Sequence, residues 1–142
     1  MTKIIAIVNQ KGCVGKTTTA VNLSAFLSYA GKEVVLFDLD PQANATSGTG
    51  ADLPERMAVL DMLENPASWE DQLLLVLDDH VNLIPSSPKG SRDIPRYLLE
   101  QKRVDGIYNQ ITLANPSYDY VIVDCPPAVG PLSELALKLA DS

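Results

Sequence analysis

The decapeptide at residues 9–18, Asn-Gln-Lys-Gly-Cys-Val-Gly-Lys-Thr-Thr, is the feature that most constrains the fold of this chain. Residues 3–8 before it form a β-branched apolar run, which is typical of a strand buried on both faces. Residues 16–30 follow with a helical pattern, and Gly31 stands where a glycine would end that helix. The apolar positions of the helical pattern are Ala20, Leu23, Phe26, Leu27 and Ala30. A strand, a glycine-bearing loop and a helix N-terminus form an anion site, because unpaired N–H groups and the helix dipole point at the same ligand.

The second half of the decapeptide has the residues of a phosphate-binding loop. Gly15 lets backbone N–H groups approach phosphate oxygens, Lys16 reaches the β- and γ-phosphates, and the Thr17 hydroxyl can ligate Mg²⁺. The strict pattern G-x-x-x-x-G-K-[ST] requires glycine at position 10, where this chain has Gln10, and a second lysine, Lys11, comes next. The loop is therefore a variant of the pattern. The alternative is an ordinary turn between a strand and a helix that happens to be rich in small residues.

Length and composition limit the other possibilities. A chain of 142 residues is one domain by its size and can bury a core. Its formal net charge of −7 argues against a dominant nucleic-acid surface in these residues. No apolar run approaches membrane-spanning length, and the N-terminus has no signal-peptide pattern. The two cysteines, Cys13 and Cys125, fit a reducing cytosol, and His80 in its acidic turn is expected on the surface.

After the loop, predicted strands and helices alternate along the chain. The predicted strands cover residues 33–38, 81–84 and 118–124. A long loop is predicted at 41–54, and helices at 57–64, 69–77, 93–114 and 131–140, with Ser68 as the N-cap of the second of these. The apolar side of the third comprises Tyr97, Leu98, Ile107, Ile111 and Leu113. Such alternation predicts an α/β fold, with a doubly wound, mostly parallel sheet, flanking helices and right-handed crossovers.

Two acidic motifs lie where this fold would place a ligand. The sequence Asp-Leu-Asp-Pro-Gln at residues 38–42 ends one predicted strand, and Asp-Cys-Pro-Pro at residues 124–127 ends another. In doubly wound sheets, ligands bind beyond the carboxyl ends of the strands. A carboxylate there, beside a phosphate loop, can hold Mg²⁺ directly or through water. Either aspartate alone is more simply a turn former, and it is their order after this loop that favours a site.

Together the three motifs resemble those of ParA-type partition ATPases, in the group of deviant phosphate-loop ATPases that includes MinD. The group's pattern K-G-G-x-G-K-[ST]-T resembles residues 11–18, D-x-D-P-Q resembles residues 38–42, and D-x-P-P resembles residues 124–127. Residues 44–48 are also similar to the family. The resemblance covers essentially all 142 residues, as the N-terminal portion of a single P-loop ATPase domain spanning residues 1–142.

The resemblance implies a catalytic role for three residues. Lys11 matches the signature lysine that reaches across a dimer to the partner's nucleotide. Lys16 matches the lysine bound to the β- and γ-phosphates, and Asp40 matches the carboxylate that positions the attacking water. The nucleotide-binding residues so implied are Lys11, Gly12, Cys13, Val14, Gly15, Lys16, Thr17 and Thr18.

The resemblance also implies ligands and partners. ATP and Mg²⁺ are the expected cofactors, with Thr17 as a metal ligand and with Asp38 and Asp124 holding the metal through its water shell. The expected partners are a second copy in an ATP-dependent homodimer, a ParB-type adaptor, and nonspecific DNA bound through a region outside these residues. No membrane contact is expected, and the implied location is the bacterial cytoplasm, in association with the nucleoid.

Two departures from the family pattern leave alternatives open. Cys13 replaces a glycine, which adds bulk and restricts φ in a loop that must wrap phosphate; alternatively, cysteine is small enough to be tolerated. Family members also continue well past Ser142, so the strand at residues 3–8 is expected to lack a neighbour on one side. These departures favour, as a second reading, a nucleotide-binding module that does not hydrolyse ATP. A MinD-like positioning ATPase is a third, which would require a C-terminal amphipathic helix.

Overall fold

The computed structural model describes residues 1–65, 75–89, 99–114 and 118–141 of the chain. The elements, in chain order, are β1 (Lys3–Ile7), α1 (Lys16–Tyr29), β2 (Val34–Asp38), α2 (Asn44–Gly48), α3 (Ala58–Glu64), β3 (Leu75–Val76), β4 (Val81–Ile84), α4 (Gln101–Asn109), a π-helical turn (Gln110–Ala114), β5 (Tyr120–Asp124) and α5 (Pro131–Leu139).

The strands form one five-stranded sheet with the order β1-β5-β2-β4-β3. The pairs β1–β5, β5–β2 and β2–β4 are parallel, and only the short β3 runs antiparallel to its neighbour β4. The register pairs Asp124 with Ile7 on one side and with Asp38 on the other. The carboxyl ends of β1, β5 and β2 therefore meet in one row, and the sheet is mostly parallel, which confirms the predicted α/β fold.

Helices cover both faces of this sheet because alternate strand residues point to opposite sides. Val34 and Leu36 join an apolar cluster with Ala20 of α1. Val35 and Phe37 join the larger cluster on the other face. The helical members of that larger cluster come from α3, α4 and α5. β2 is buried along its whole length, as expected for a central strand covered on both sides.

Strand β1 lies at an edge of the described sheet, as the sequence predicted. The backbone groups of Ile4 on this open edge nevertheless have hydrogen-bond partners. The Ile4 N–H donates to Asp141 Oδ2 at 2.9 Å, and the Ile4 carbonyl accepts from the Asp141 N–H at 2.8 Å. The segment after α5 thus occupies the start of this edge.

Two predicted elements were wrong in part. The predicted loop at 41–54 contains α2, which begins after Ala43 in the left-handed region (φ 54°). Leu75 and Val76, predicted at the end of a helix, form β3 because they pair with β4. The remainder of that helix, including Ser68, lies outside the described residues.

Side-chain exposure corrects two of the predicted helix faces. Phe26 is 67% exposed on α1, whereas Ser24 and Ser28 on the same helix are buried. Leu113 is 70% exposed, because the π-helical turn changes the helical phase before it is reached. Tyr97 and Leu98 lie outside the described residues.

Candidate nucleotide-binding site

The candidate site lies at the carboxyl edge of the sheet, where residues 8–15 connect β1 to α1. Gly15 is the N-cap of α1 with φ 86°, a left-handed conformation that glycine adopts without steric cost. No described side chain caps the first turn of this helix. Its N-terminal N–H groups are therefore directed at the loop, in the arrangement that binds anions.

The two lysines of the loop lie on its exposed side. Lys16 Nζ donates to the Lys11 carbonyl at 2.7 Å, and the Lys11 N–H donates to Asn9 Oδ1 at 2.9 Å. The ammonium group of Lys16 is thus held over the loop by a backbone oxygen. A phosphate oxygen is a stronger partner for this cation than a neutral carbonyl, because both groups of the pair are then charged.

Thr17 and Asp124 connect the helix to the central strand β5. Thr17 Oγ1 donates to Asp124 Oδ2 at 2.7 Å, while the buried Asp124 Oδ1 has no hydrogen-bond partner within the described part of the chain. Burial raises the pKa of Asp124 above its ordinary value; the Thr17 hydrogen bond lowers it and the nearby Asp40 charge raises it further. A buried carboxylate oxygen without a donor is a position that a hydrated divalent cation can fill.

The residues present fit Mg²⁺ rather than a metal held entirely by protein. Among the described residues, no cluster of three or more His, Cys, Asp or Glu side chains has the arrangement of a metal site. Mg²⁺ commonly keeps several waters and takes one or two protein oxygens together with substrate phosphates. The Thr17 hydroxyl is such an oxygen, and the unpaired oxygen of Asp124 can accept from a water of the metal's shell.

Asp38 is fully buried and directed at its own segment. Its Oδ2 accepts from the Thr46 N–H at 2.9 Å and from Thr46 Oγ1 at 2.7 Å, and its Oδ1 accepts from the Asp40 N–H at 3.1 Å. Burial raises the pKa of Asp38 to about 7, against the lowering effect of the Thr46 hydrogen bonds, and the charge of Asp124 adds to the rise. In this conformation Asp38 braces the turn after β2, and its contact with a metal's water shell stays a prediction.

Asp40 lies on the same edge and is 7% exposed. Its Oδ1 accepts from the Gln42 N–H at 2.9 Å, and its carbonyl accepts from Ser86 Oγ at 2.6 Å and from the Ala43 N–H at 2.8 Å. The effect of its charge on the pKa of Asp124 shows that the two carboxylates are electrostatic neighbours. Hydrogen bonds therefore hold the backbone of Asp40 at both its N–H and its carbonyl.

Cys13 adopts φ 56°, in the left-handed region that favours glycine. Its side chain is exposed and its thiol is free. The sequence predicted that a side chain here would restrict φ, and the chain adopts the glycine-like conformation nonetheless. The backbone at Cys13 is therefore locally strained.

The sequence model of the AAA_31 family, an AAA domain, matches residues 2–142. The chain belongs to the AAA_31 family. Sporulation initiation inhibitor protein Soj of Bacillus subtilis is 41% identical over an alignment of 143 positions, which covers all 142 residues of this chain and 56% of that protein. Chromosome-partitioning ATPase Soj of Treponema pallidum is 37% identical over 99% of this chain and 55% of that protein. The resemblance to ParA-type partition ATPases is thereby confirmed, and the chain spans about half the length of these relatives.

The fold of this AAA_31 chain also matches solved structures. Cobyrinic acid a,c-diamide synthase from Mycobacterium smegmatis, solved with ADP and magnesium, superposes with a TM-score of 0.81 at 32% identity. The match covers 99% of this chain and 57% of the other. This likeness confirms the phosphate-loop α/β fold. The matched structure of the synthase contains bound ADP and magnesium.

Two grooves of about 720 and 710 Å³ lie among the described residues of this AAA_31 chain, and neither is lined by Lys16 or Thr17. The second adjoins the start of the loop and is lined by Asn9, Gln10 and residues 126–131.

The structure brings most of the sequence-predicted site residues to one edge. Lys16, Thr17, Asp40 and Asp124 interact there through hydrogen bonds or charge, whereas Lys11 and Cys13 lie on the exposed outer loop. Of the remaining predicted residues, Gly12, Val14 and Gly15 lie between β1 and α1, and Thr18 lies in the first turn of α1.

Sequence reasoning missed Thr46 and Ser86. Thr46 lies in the segment 44–48, which resembled the family without a role being assigned to Thr46 itself. Ser86 lies in a Pro-Ser-Ser-Pro sequence that predicted only the end of a strand. The signal that could have found them is the position of small hydroxyl residues beside two strand ends that face the same edge.

Proposed function

We propose that this chain is the nucleotide-binding part of an ATP-dependent dimerisation switch for plasmid or chromosome partitioning, with slow, Mg²⁺-dependent hydrolysis of the γ-phosphate. The observation that carries this proposal is the contact of Thr17 with Asp124, whose second oxygen is buried and unpaired, directly beside the lysine-bearing loop. The partitioning role is supported by the name of the Treponema pallidum relative, chromosome-partitioning ATPase Soj.

In this proposal the loop binds the phosphates of ATP. Lys16 exchanges its contact with the Lys11 carbonyl for the β- and γ-phosphates, and the N–H groups at the start of α1 bind phosphate oxygens. Lys11 is exposed on the outer loop, and in this proposal it reaches a nucleotide bound to a second copy of the protein. A lysine supplied in this way couples hydrolysis to dimerisation, as arginine fingers do.

Three acids complete the site. Thr17 would be a ligand of Mg²⁺, and Asp124 and Asp38 would hold the ion through its water shell. When bound, Mg²⁺ neutralises charge on the phosphate oxygens. Asp40 orients the water that attacks the γ-phosphorus, because phosphoryl transfer depends on positioning and charge stabilisation more than on covalent chemistry.

Partners outside the nucleotide site belong to the same proposal. A ParB-type adaptor stimulates hydrolysis, and the ATP-bound dimer binds nonspecific DNA through basic residues outside this net-negative chain. The proposed location is the bacterial cytoplasm at the nucleoid. None of the described helices is long and apolar enough to cross a bilayer.

The test is ATP turnover by the chain with Mg²⁺, compared with the variants Asp40→Ala and Asp52→Ala. Asp52 is an exposed carboxylate, so it controls for the loss of one negative charge. We expect Asp40→Ala to lower turnover by about 100-fold or more, as loss of a group that orients the nucleophile does, with Asp52→Ala unchanged. Equal turnover in the wild type and Asp40→Ala would overturn the assignment.

A nucleotide-binding module without hydrolysis is the second candidate, and Cys13 in the left-handed region is the observation that favours it. This candidate expects saturable ATP binding without turnover in the wild type. It also expects turnover to appear in Cys13→Gly, in which the loop regains the residue of the family pattern.

A further inference from the structure

Four buried residues form a closed ring of hydrogen bonds behind the acidic edge. Asp40 donates its N–H to Asp38, and Asp38 accepts from the Thr46 hydroxyl. Thr46 Oγ1 accepts from the Ser86 N–H at 2.9 Å, and Ser86 Oγ donates back to the Asp40 carbonyl at 2.6 Å. The ring therefore joins three separate segments: the end of β2, helix α2 and the end of β4.

Thr46 is the only member of this ring whose hydroxyl both donates and accepts within it. Its hydroxyl proton goes to Asp38, and its lone pair accepts from the Ser86 N–H. Asp38, Thr46 and Ser86 are each 0% exposed, so water does not compete for these hydrogen bonds. Loss of the Thr46 hydroxyl would leave a buried N–H unpaired and remove a donor from a buried carboxylate.

The ring acts on Asp40 through its backbone. The Asp40 N–H is held by Asp38 and its carbonyl by Ser86, so both peptide groups flanking this residue are fixed. The carboxylate of Asp40 is attached to this fixed backbone and accepts from the Gln42 N–H at 2.9 Å. A shift of the backbone would move the carboxylate with it.

We propose that Thr46 is a positioning residue for Asp40: through Asp38 on one side and Ser86 on the other, it sets the place of the carboxylate that orients the attacking water. This inference rests on the proposed function, in which Asp40 has that task. Thr46 itself touches neither nucleotide nor metal in the proposal. Its loss is therefore expected to affect turnover rather than ATP affinity.

The first experiment compares Thr46→Val, which removes the hydroxyl at nearly constant volume, with Thr46→Ser, which keeps it. Ser86→Ala breaks the ring at its other side. Ser87→Ala is the matched control, because Ser87 is equally buried and adjacent but donates to the Pro54 carbonyl outside the ring. ATP turnover and ATP affinity are measured for all four variants and the wild type.

We expect Thr46→Val and Ser86→Ala to lower turnover by about 10- to 100-fold, as a misplaced catalytic group does, with the dissociation constant for ATP within about threefold of wild type. Thr46→Ser and Ser87→Ala should stay close to wild type. Turnover of Thr46→Val within about twofold of wild type would overturn the inference, as would an equal loss in Ser86→Ala and Ser87→Ala.

Amide hydrogen exchange tests the ring independently of turnover. The Asp40 amide donates to buried Asp38, whereas the neighbouring Leu39 amide donates to the Asp124 carbonyl in the sheet. In Thr46→Val we expect the Asp40 amide to exchange about 10-fold faster and the Leu39 amide to keep its rate. If the wild type does not hydrolyse ATP, the proposed function fails and this exchange alone decides the inference: no change at Asp40, or equal changes at both amides, overturns it.

Discussion

Replacing Asp38 with asparagine should change how the stability of this protein depends on pH. Asp38 is fully buried, and burial raises its pKa from an ordinary 3.8 to about 7. Between these two values the unfolded chain has released the proton while the folded chain still holds it. The free energy of unfolding of the wild type therefore falls as pH rises through this window, and the loss is complete above about pH 7.

The size of the effect follows from the two pKa values. A rise of about 3 pH units, at about 1.4 kcal/mol for each unit, corresponds to about 4 kcal/mol between the low-pH and high-pH limits. Between about pH 5 and pH 8, the wild type should lose about 2 to 3 kcal/mol more than Asp38→Asn, which has no carboxyl group to titrate there. Asp124 titrates in both proteins, so its contribution largely cancels in the difference.

Urea denaturation at several pH values, without Mg²⁺ and with a chelator present, measures this difference. Asp52→Asn, which removes an exposed carboxylate, is the control for one lost charge. A difference in the free energy of unfolding that is the same at every pH reports only the hydrogen bonds that the substitution changes. A difference that varies with pH reports titration of Asp38. If the two curves run parallel from about pH 5 to pH 8, burial does not govern the ionisation of Asp38 and the reasoning is refuted.

Three further predictions follow from single contacts. Cys13→Gly should raise the free energy of unfolding by about 0.5 to 1 kcal/mol. The reason is that relief of about 1 to 2 kcal/mol of left-handed backbone strain exceeds the free-energy cost of the entropy that glycine adds to the unfolded chain. Urea denaturation that shows equal or lower stability would contradict this prediction. Asp141→Ala should lower the free energy of unfolding by about 1 kcal/mol in the same assay, since the Ile4 N–H loses its carboxylate acceptor. The hydrogen bond to Glu33 raises the pKa of His80 above its ordinary 6.5, so this ion pair stabilises the fold below that value and is lost as pH rises through the folded pKa. The chain has one histidine, so its NMR titration is unambiguous, and an unchanged pKa in Glu33→Gln would refute the assignment.

The sequence predicted the sheet well because its strands are locally encoded. Each of the central strands is a run of β-branched or apolar residues, and each ends at an aspartate, a proline or the glycine-bearing loop. The row formed by Ile7, Asp124 and Asp38 follows from parallel pairing, so the meeting of the three motifs could be predicted before any coordinate was known.

The face of α1 was predicted less well, because burial there is decided by close packing rather than by hydropathy. The helix is buried against the sheet through Ala20, Ser24 and Ser28, which are small. The Ser24 hydroxyl donates to the Ala20 carbonyl of the same helix, so burial of Ser24 does not leave its hydroxyl unpaired. Phe26, which an apolar pattern would place inside, is left exposed on the opposite side.

The hydrogen-bond ring could not be predicted from sequence, because Thr46 and Ser86 are 40 residues apart and meet only in the folded protein. A threonine in a short polar segment carries no sign of which carboxylate it will reach. The sequence did not indicate that the Asp38 carboxylate accepts from Thr46 and Asp40, and its place in a metal's water shell stays a prediction. Roles that depend on tertiary contacts of this kind need coordinates.

Binding of Mg²⁺–ATP to this chain, measured by titration calorimetry, tests the central claim most directly. The variant Lys16→Ala removes the phosphate-binding lysine, and Lys32→Ala removes an exposed lysine that follows α1 and serves as the control. The account predicts saturable binding by the wild type and Lys32→Ala that is lost in Lys16→Ala. No binding by the folded wild type, or equal binding by all three proteins, would contradict the claim that residues 9–18 form a working phosphate site.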